Sequence, residues 1–230
     1  MHWTVINGAD AGADGRPQAP GLYDLESVAP DGGQVRCSLS VPAVGSGDIR
    51  LPLVLVLHYA GQPTRFYGRP LLQQLVEPAL RPLDALMVAP ESRGGQWQDE
   101  RNEAFVLALL EWLCGAWPVD QRKIIITGYS MGAIGTWHFI AHYPQRFAAA
   151  IPIAGFPSRE LDCQVPVMTL HAAADELFSL ARLEAAVGAA QATGSPLELV
   201  TTTVSGHYDV NGYAPALAAA VPWLKHQLAR

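Results

Sequence analysis

Lys123-Ile124-Ile125-Ile126-Thr127-Gly128-Tyr129-Ser130-Met131-Gly132 is the stretch whose reading decides the fold. Its first half is short, apolar and β-branched, as a buried strand should be. That strand runs directly into Gly128-x-Ser130-x-Gly132, and residues 130–143 read as a helix. A serine between two glycines at a strand-to-helix turn is the nucleophile-elbow pattern. Such a turn holds the serine in a strained backbone conformation, and side chains two residues to either side would collide across it. Ser130 then stands at the carboxyl edge of a sheet and at a helix N-terminus. Backbone N–H groups there favour the negative charge that develops during acyl transfer.

Working outward, residues 51–57 are a continuous apolar run rich in Val and Leu, which a strand buried on both faces requires. Helical spacing or composition marks residues 71–80, 103–112, 177–192 and 213–228, the last with Pro222 as an expected kink. Short apolar segments at 85–89, 147–154, 166–170 and 197–204 read as strands between them. Residues 34–42 alternate Val35, Cys37, Leu39 and Val41 against Arg36, Ser38 and Ser40, the period of a half-buried antiparallel strand. Residues 7–33 carry Gly8, Gly12, Gly15, Pro17, Pro20, Gly21, Pro30, Gly32 and Gly33, so 1–33 reads as an irregular or short-stranded opening. Strand-helix alternation with apolar strands, under the right-handed crossover rule, gives a doubly wound, mostly parallel α/β sheet with helices on both faces. With 230 residues and no internal repeat or linker, residues 1–230 are expected to form one domain.

Composition narrows the partners. Half the residues are hydrophobic and 16% are charged, enough apolar surface for a core and too little charge for a disordered chain. A net charge of -6 offers no general attraction to nucleic acid. No apolar run approaches the roughly 18 to 20 residues of a membrane span. The first residues lack a basic, apolar leader, so the chain reads as cytoplasmic. Cys37, Cys114 and Cys163 are odd in number and widely spaced, which points to neither a disulfide framework nor a zinc site.

Residues 119–156, through Ile124-Ile125-Ile126-Thr127-Gly128-Tyr129-Ser130-Met131-Gly132 and Tyr143-Pro144-Gln145-Arg146-Phe147-Ala148-Ala149-Ala150, resemble the small serine esterases of the α/β-hydrolase superfamily. The nearest branch is the phospholipase/carboxylesterase and feruloyl-esterase-like group, and the resemblance extends more thinly over residues 54–207. It implies an α/β-hydrolase fold and a nucleophile, acid and base in the chain order Ser, Asp, His. It also implies a cofactor-free enzyme acting on a small-molecule carboxylic ester or thioester.

A serine hydroxyl is a weak nucleophile, so a base must take its proton and an acid must orient that base. Of seven histidines, His207 follows the last strand and precedes the final helix, in Ser205-Gly206-His207-Tyr208-Asp209, where the resembling esterases keep their base. For the acid, His171-Ala172-Ala173-Ala174-Asp175 is similar to the His-Gly-x-x-Asp segment of those enzymes, with Ala172 in place of Gly. Asp175 is the chosen acid and Glu176 the fallback; a helix N-cap is the structural alternative for Asp175. His138 and His142, four apart on one helix, have metal spacing but no third ligand, so packing is the preferred reading and no metal is expected.

Two backbone N–H groups must stabilise the oxyanion. Met131, after the nucleophile, supplies one; His58-Tyr59-Ala60-Gly61, where the resembling enzymes show His-Gly-x-Gly, supplies the other, from Ala60 or Tyr59. Tyr59 and Trp97 are candidate pocket walls, Trp97 equally a local packing anchor; Tyr67 and Phe178 are weaker candidates. Only about ten residues separate the strands ending near Ala154 and starting near Pro166, too few for a cap domain, which leaves an open site. Two readings compete with an esterase: a peptidase of the same fold, and a non-catalytic binding protein.

Overall fold

The computed structural model describes residues 2–7, 16–17, 19–29, 31–43, 50–62, 64–157 and 163–230. Gly8, Gly12, Gly15 and Pro30, counted above as turn formers, lie outside them, as does part of the 155–165 connection. Nine strands form one sheet in the order β1-β2-β3-β5-β4-β6-β7-β8-β9. They are β1 (Thr4–Asn7), β2 (Gly21–Val28), β3 (Gln34–Val41), β4 (Leu51–Leu57), β5 (Leu86–Pro90), β6 (Val119–Tyr129), β7 (Ala149–Ile153), β8 (Val167–Ala172) and β9 (Leu197–Thr202). β1 to β3 pair antiparallel, β3 joins β5 antiparallel, and every pairing from β5 to β9 is parallel. This is the α/β-hydrolase fold, and the described residues of the connection from Ile153 to Val167 form no sizeable cap. No helix among the described residues is long and apolar enough to cross a membrane.

The apolar strands are two-sided because each face meets helices. In β4, Leu53, Leu55 and Leu57 enter one core while Val54 and Val56 enter the other; β6 divides Ile124 and Ile126 from Ile125 in the same way. The registers Leu53↔Ile124, Val54↔Ile125 and Leu55↔Ile126 keep both layers continuous across the sheet. The first core is closed by α3 (Glu100–Ala116), α4 (Met131–His142) and α5 (Leu180–Ala192), through side chains such as Phe105, Leu109, Trp137, Phe139 and Leu183. The second is closed by α1 (Arg69–Leu71), α2 (Glu77–Leu80), α6 (Ala214–Ala219) and α7 (Val221–Leu228). Each fully buried Leu or Ile contributes roughly 1.5–3 kcal/mol of transfer free energy.

Several boundaries depart from the sequence reading. The helix expected over 71–80 begins at Arg69 and passes through a π-helical turn, Leu72–Val76, between α1 and α2. Pro78 has no N–H for the carbonyl four residues back, and the turn before it widens. The C-terminal helix divides at Ala220, with Pro222 in the first turn of α7, as its kink anticipated. Residues 1–33 hold β1 and the eight-residue β2. The polar face of β2 and β3 is covered rather than solvated: Asp24 and Ser38 are buried, with Ser38 Oγ donating to Asp24 Oδ1 at 2.7 Å and Arg69 paired to Asp24 Oδ2 at 2.5 Å.

Candidate active site

β6 ends at Tyr129 and α4 starts at Met131, leaving Ser130 as the single residue of the turn. Its φ of 55° and ψ of -113° are unusual for a residue with a side chain. Such backbone costs of order 1–3 kcal/mol and persists only where surroundings enforce it. Here the Ser130 N–H donates to Ile153 O at 2.9 Å, and Ser130 O accepts from the N–H groups of Ala133 at 2.9 Å and Ile134 at 3.1 Å. The glycines are required by space. A Cβ on Gly128 would lie 2.3 Å from Gly132 O, and one on Gly132 would lie 1.9 Å from Leu57 O. The elbow helix is therefore seated directly on the carboxyl end of β4.

The carboxyl edge of the sheet carries three loops, after β6, β8 and β9, which bring Ser130, Asp175 and His207 together. His207 follows β9, and its Nε2 lies 2.9 Å from Ser130 Oγ; its Nδ1 lies 2.8 Å from Asp175 Oδ2. Asp175 follows β8, and its other oxygen accepts from the N–H groups of Leu177 at 2.9 Å and Phe178 at 2.8 Å. Burial pushes the Asp175 carboxyl up, but the hydrogen bonds from His207, Phe178 and Leu177 outweigh it and hold it below the ordinary carboxylate range. An ionised Asp175 accepts from Nδ1 of His207, which leaves Nε2 directed at Ser130 Oγ. The two carboxylates are also sorted: Glu176 Oε2 accepts the His207 backbone N–H at 2.7 Å and does not address the ring. Asp175 caps the turn of residues 175–178 rather than a helix, since α5 starts only at Leu180. His171 lies fully buried behind it, its Nε2 2.8 Å from Phe178 O, which fixes the same turn.

The His58-Tyr59-Ala60-Gly61 loop leaves β4 beside the first turn of α4, where Met131 contributes one of the N–H groups that no helical carbonyl can reach. His58 organises the loop. Its ring is 1% exposed; Nε2 accepts from the Ser92 N–H at 3.0 Å, Nδ1 donates to Tyr59 O at 2.7 Å, and its carbonyl accepts from Trp97 Nε1 at 2.8 Å. Burial lowers the His58 pKa to about 4, against the opposing bond to Tyr59, so the ring is neutral. Trp97 is fully buried, its indole against the site where a Gly135 Cβ would stand. The pocket-wall reading of Trp97 therefore gives way to the packing anchor: a side chain with no exposed surface beneath the loop meets no substrate.

Tyr59 is half-buried, edge-on to Tyr67 and Tyr129 at 5.7 and 6.2 Å between ring centroids. It borders a cleft of about 240 Å³ shared with Leu71, Gln74, Tyr208, Asp209 and Asn211. Tyr208 is 75% exposed and edge-on to the His207 ring at 5.4 Å; Phe178 lies 5.3 Å from the same ring, and Tyr67 packs on His58. A larger cavity of about 470 Å³ near Ser40, Gln73, Glu77 and Arg81 includes none of the candidate residues. His138 is paired with Glu103 of α3 at 2.5 Å, and Tyr143 donates to the same carboxylate at 2.7 Å. Among the described residues no group of three or more His, Cys, Asp or Glu is placed to hold a metal. The sequence reading did not single out Tyr129, whose hydroxyl donates to His207 O, nor the ring of His58, although Tyr129 directly precedes the serine of the elbow and His58 directly follows β4.

Comparison with known proteins agrees with this architecture. A structure described as a thermostable esterase superposes with a TM-score of 0.73 at 22% identity, over 89% of this chain and 62% of that one. An S-formylglutathione hydrolase from Agrobacterium tumefaciens gives 0.72 at 14% identity, over 98% and 99% of the two chains. A ferulic acid esterase gives 0.71 at 14%, over 90% and 99%. At these identities the likeness is one of fold. An uncharacterized secreted protein of Arthroderma benhamiae is 53% identical over 36 residues, which is 16% of this chain and 4% of that protein. Residues 91–208, just over half of the chain, match the Dienelactone hydrolase family, a span that runs from the end of β5 through the elbow and Asp175 to the loop of His207. The resemblance to esterases of the α/β-hydrolase superfamily is thereby sharpened to one branch, and the chain belongs to the dienelactone hydrolase family.

Proposed function

We propose that the protein is a serine hydrolase that cleaves carboxylic esters, thioesters included, by a two-step acyl-enzyme route. The observation that carries this reading is the continuous chain of hydrogen bonds from Ser130 Oγ through His207 to Asp175, at 2.9 and 2.8 Å. In the first step Ser130 Oγ attacks the carbonyl carbon as its proton passes to His207 Nε2. The negative charge moves to the carbonyl oxygen, where the N–H groups of Met131 and Ala60 receive it. Tyr59 O is tied back to the His58 ring, and in a trans peptide the Ala60 N–H points the opposite way, which favours Ala60 over Tyr59 as the second donor. Collapse of the tetrahedral adduct breaks the bond to the leaving oxygen or sulfur, which takes the proton from His207. Water then repeats the sequence on the acyl group and frees Ser130.

Asp175 keeps His207 in the tautomer that accepts at Nε2 and stabilises the imidazolium formed in between. The cleft beside Tyr59 and Tyr208 is the place for the substrate, reached without opening a cap. The family's name denotes a lactone, itself an internal ester, which fits this chemistry. Hydrolysis of p-nitrophenyl esters from acetyl to palmitoyl, each with Ser130→Ala as blank, tests the reading. Activity that disappears in the variant at every chain length is expected. Equal rates with and without Ser130 would overturn it.

A further inference from the structure

The loop that bears His207 is held to the sheet edge through His207 itself. It runs from the end of β9 at Thr202 to the 3-10 turn Val210–Tyr213. Its own hydrogen bonds are local: Ser205 Oγ and the Gly212 N–H donate to Asp209, and the Asp209 N–H to Gly206 O. Among the described residues, the hydrogen bonds that carry residues 203–209 across to the rest of the sheet edge all end on His207. Two belong to the ring, to Ser130 and Asp175. Two belong to the backbone: Glu176 Oε2 accepts the N–H at 2.7 Å, and Tyr129 Oη donates to the carbonyl. Glu176 directly follows the residue that addresses the ring, and Tyr129 directly precedes the serine. The histidine is thus gripped on backbone and ring by the same two loops.

We propose that Glu176 and Tyr129 are positioning residues that clamp the backbone of His207, holding its ring in line between Ser130 and Asp175. The proposal rests on the serine-hydrolase reading above. Three further observations support it. Tyr129 is 2% exposed, and burial raises its phenol well above the ordinary range, so it remains a donor. The Tyr129 ring packs on those of His207, Tyr59 and Tyr213, which leaves its hydroxyl one direction in which to point. Finally, residue 206 is a glycine, and a Cβ there would lie 2.8 Å from Glu176 Oε2, in the path of the carboxylate that reaches the neighbouring N–H.

Proton transfer requires the ring of His207 to stay in line between Ser130 and Asp175, so loosening its backbone should lower turnover more than it weakens substrate binding. Kinetics on a short-chain p-nitrophenyl ester with purified Glu176→Ala, Glu176→Gln, Tyr129→Phe and Gly206→Ala provide the test, alongside thermal unfolding of each. Losing one hydrogen bond predicts a fall in kcat of about tenfold or more for Glu176→Ala and about tenfold for Tyr129→Phe, with KM within about twofold of wild type. Glu176→Gln retains an acceptor oxygen at the same reach and should recover kcat to within about threefold. Gly206→Ala, which shifts the carboxylate by a few tenths of an ångström, should lower kcat by less than Glu176→Ala. Wild-type kcat in Glu176→Ala and Tyr129→Phe would overturn the clamp, and so would Glu176→Gln being as impaired as Glu176→Ala. Ser130→Ala run in parallel separates the two levels: if it remains active the hydrolase reading itself falls, whereas an inactive Ser130→Ala with unaffected clamp variants removes the clamp alone. Glu176 is exposed, so its variants keep the test decisive even if Tyr129→Phe fails to fold.

Discussion

Replacing Gly132 by Ala and replacing Gly188 by Ala are the same chemical change, and the structure predicts opposite signs for them. A Cβ on Gly132 would meet three backbone atoms, Leu57 O at 1.9 Å, Leu57 C at 2.6 Å and His58 O at 3.0 Å. Ordinary contact begins near 3.5 Å, so the start of α4 and the end of β4 must separate by roughly 1.5 Å. Neither side can yield by rotating a side chain, because both are backbone and β4 is hydrogen-bonded to β5 and β6. Overpacking of this kind costs about 3 kcal/mol or more, which for a chain of this size lowers Tm by roughly 6–12 °C. The same displacement draws Met131 away from the 58–61 loop, and a misplacement of about 1 Å costs around a hundredfold in kcat. Gly188 lies exposed within α5 with nothing within 4 Å of its would-be Cβ. Alanine there gains about 1 kcal/mol of helix propensity and raises Tm by roughly 2–4 °C. Circular dichroism melts and p-nitrophenyl acetate turnover on both variants check this. Gly132→Ala melting and turning over like wild type would refute the packing argument, and a fall in Tm for Gly188→Ala would refute the use of local space to assign the sign.

Asp175→Asn should preserve the fold and lower kcat by about 10³–10⁴-fold, because an amide can present its N–H to Nδ1 and favour the wrong tautomer; steady-state kinetics with a melt as control test it. Trp97→Phe removes the donor to His58 O and leaves that carbonyl unpaired, so a loss of about 1–3 kcal/mol is expected in urea unfolding, together with a lower kcat. Stability should also depend on pH through His58. Its folded pKa of about 4 lies below the ordinary 6.5, so between these values the unfolded chain binds the extra proton; stability is full above about 6.5 and is lost as pH falls towards 4, by about 3 kcal/mol. Urea midpoints from pH 7.5 to 4 should therefore fall less steeply for His58→Gln than for wild type, and parallel curves would contradict the assignment.

What the sequence disclosed was uneven, and for physical reasons. β4 was legible to the residue because a strand buried on both faces leaves a signal rich in Leu and Val from Leu51 to Leu57, which only Pro52, near its start, interrupts. β6 was read only from Lys123, since Asp120, Gln121 and Arg122 at its start are polar although Val119 pairs with Leu51. In β2 and β3, Asp24 and Ser38 look like a solvated face in one dimension. Arg69, Asn7 and their own mutual hydrogen bond satisfy them in the interior instead. In the candidate site, Ser130, Asp175 and His207 could be found because each lies on a loop following a recognisable strand, and the parallel sheet delivers all such loops to one edge. His58, Tyr129 and Glu176 act on backbone atoms 34, 78 and 31 residues away, and backbone partners leave no residue-type signature in a sequence. Trp97 was balanced between two roles because an aromatic in a Gly-rich loop reads alike in both; only its lack of exposed surface decides.

The central claim is that His207 and Asp175 activate Ser130, and covalent capture tests it most directly. The protein is incubated with a fluorophosphonate, and the adduct is followed by intact mass and located by peptide mapping, in wild type, Ser130→Ala and His207→Ala. The account predicts one adduct per chain, located on Ser130, forming rapidly in wild type, absent in Ser130→Ala and slowed by orders of magnitude in His207→Ala. An adduct on another residue, or labelling of Ser130 at the same rate without His207, would contradict it.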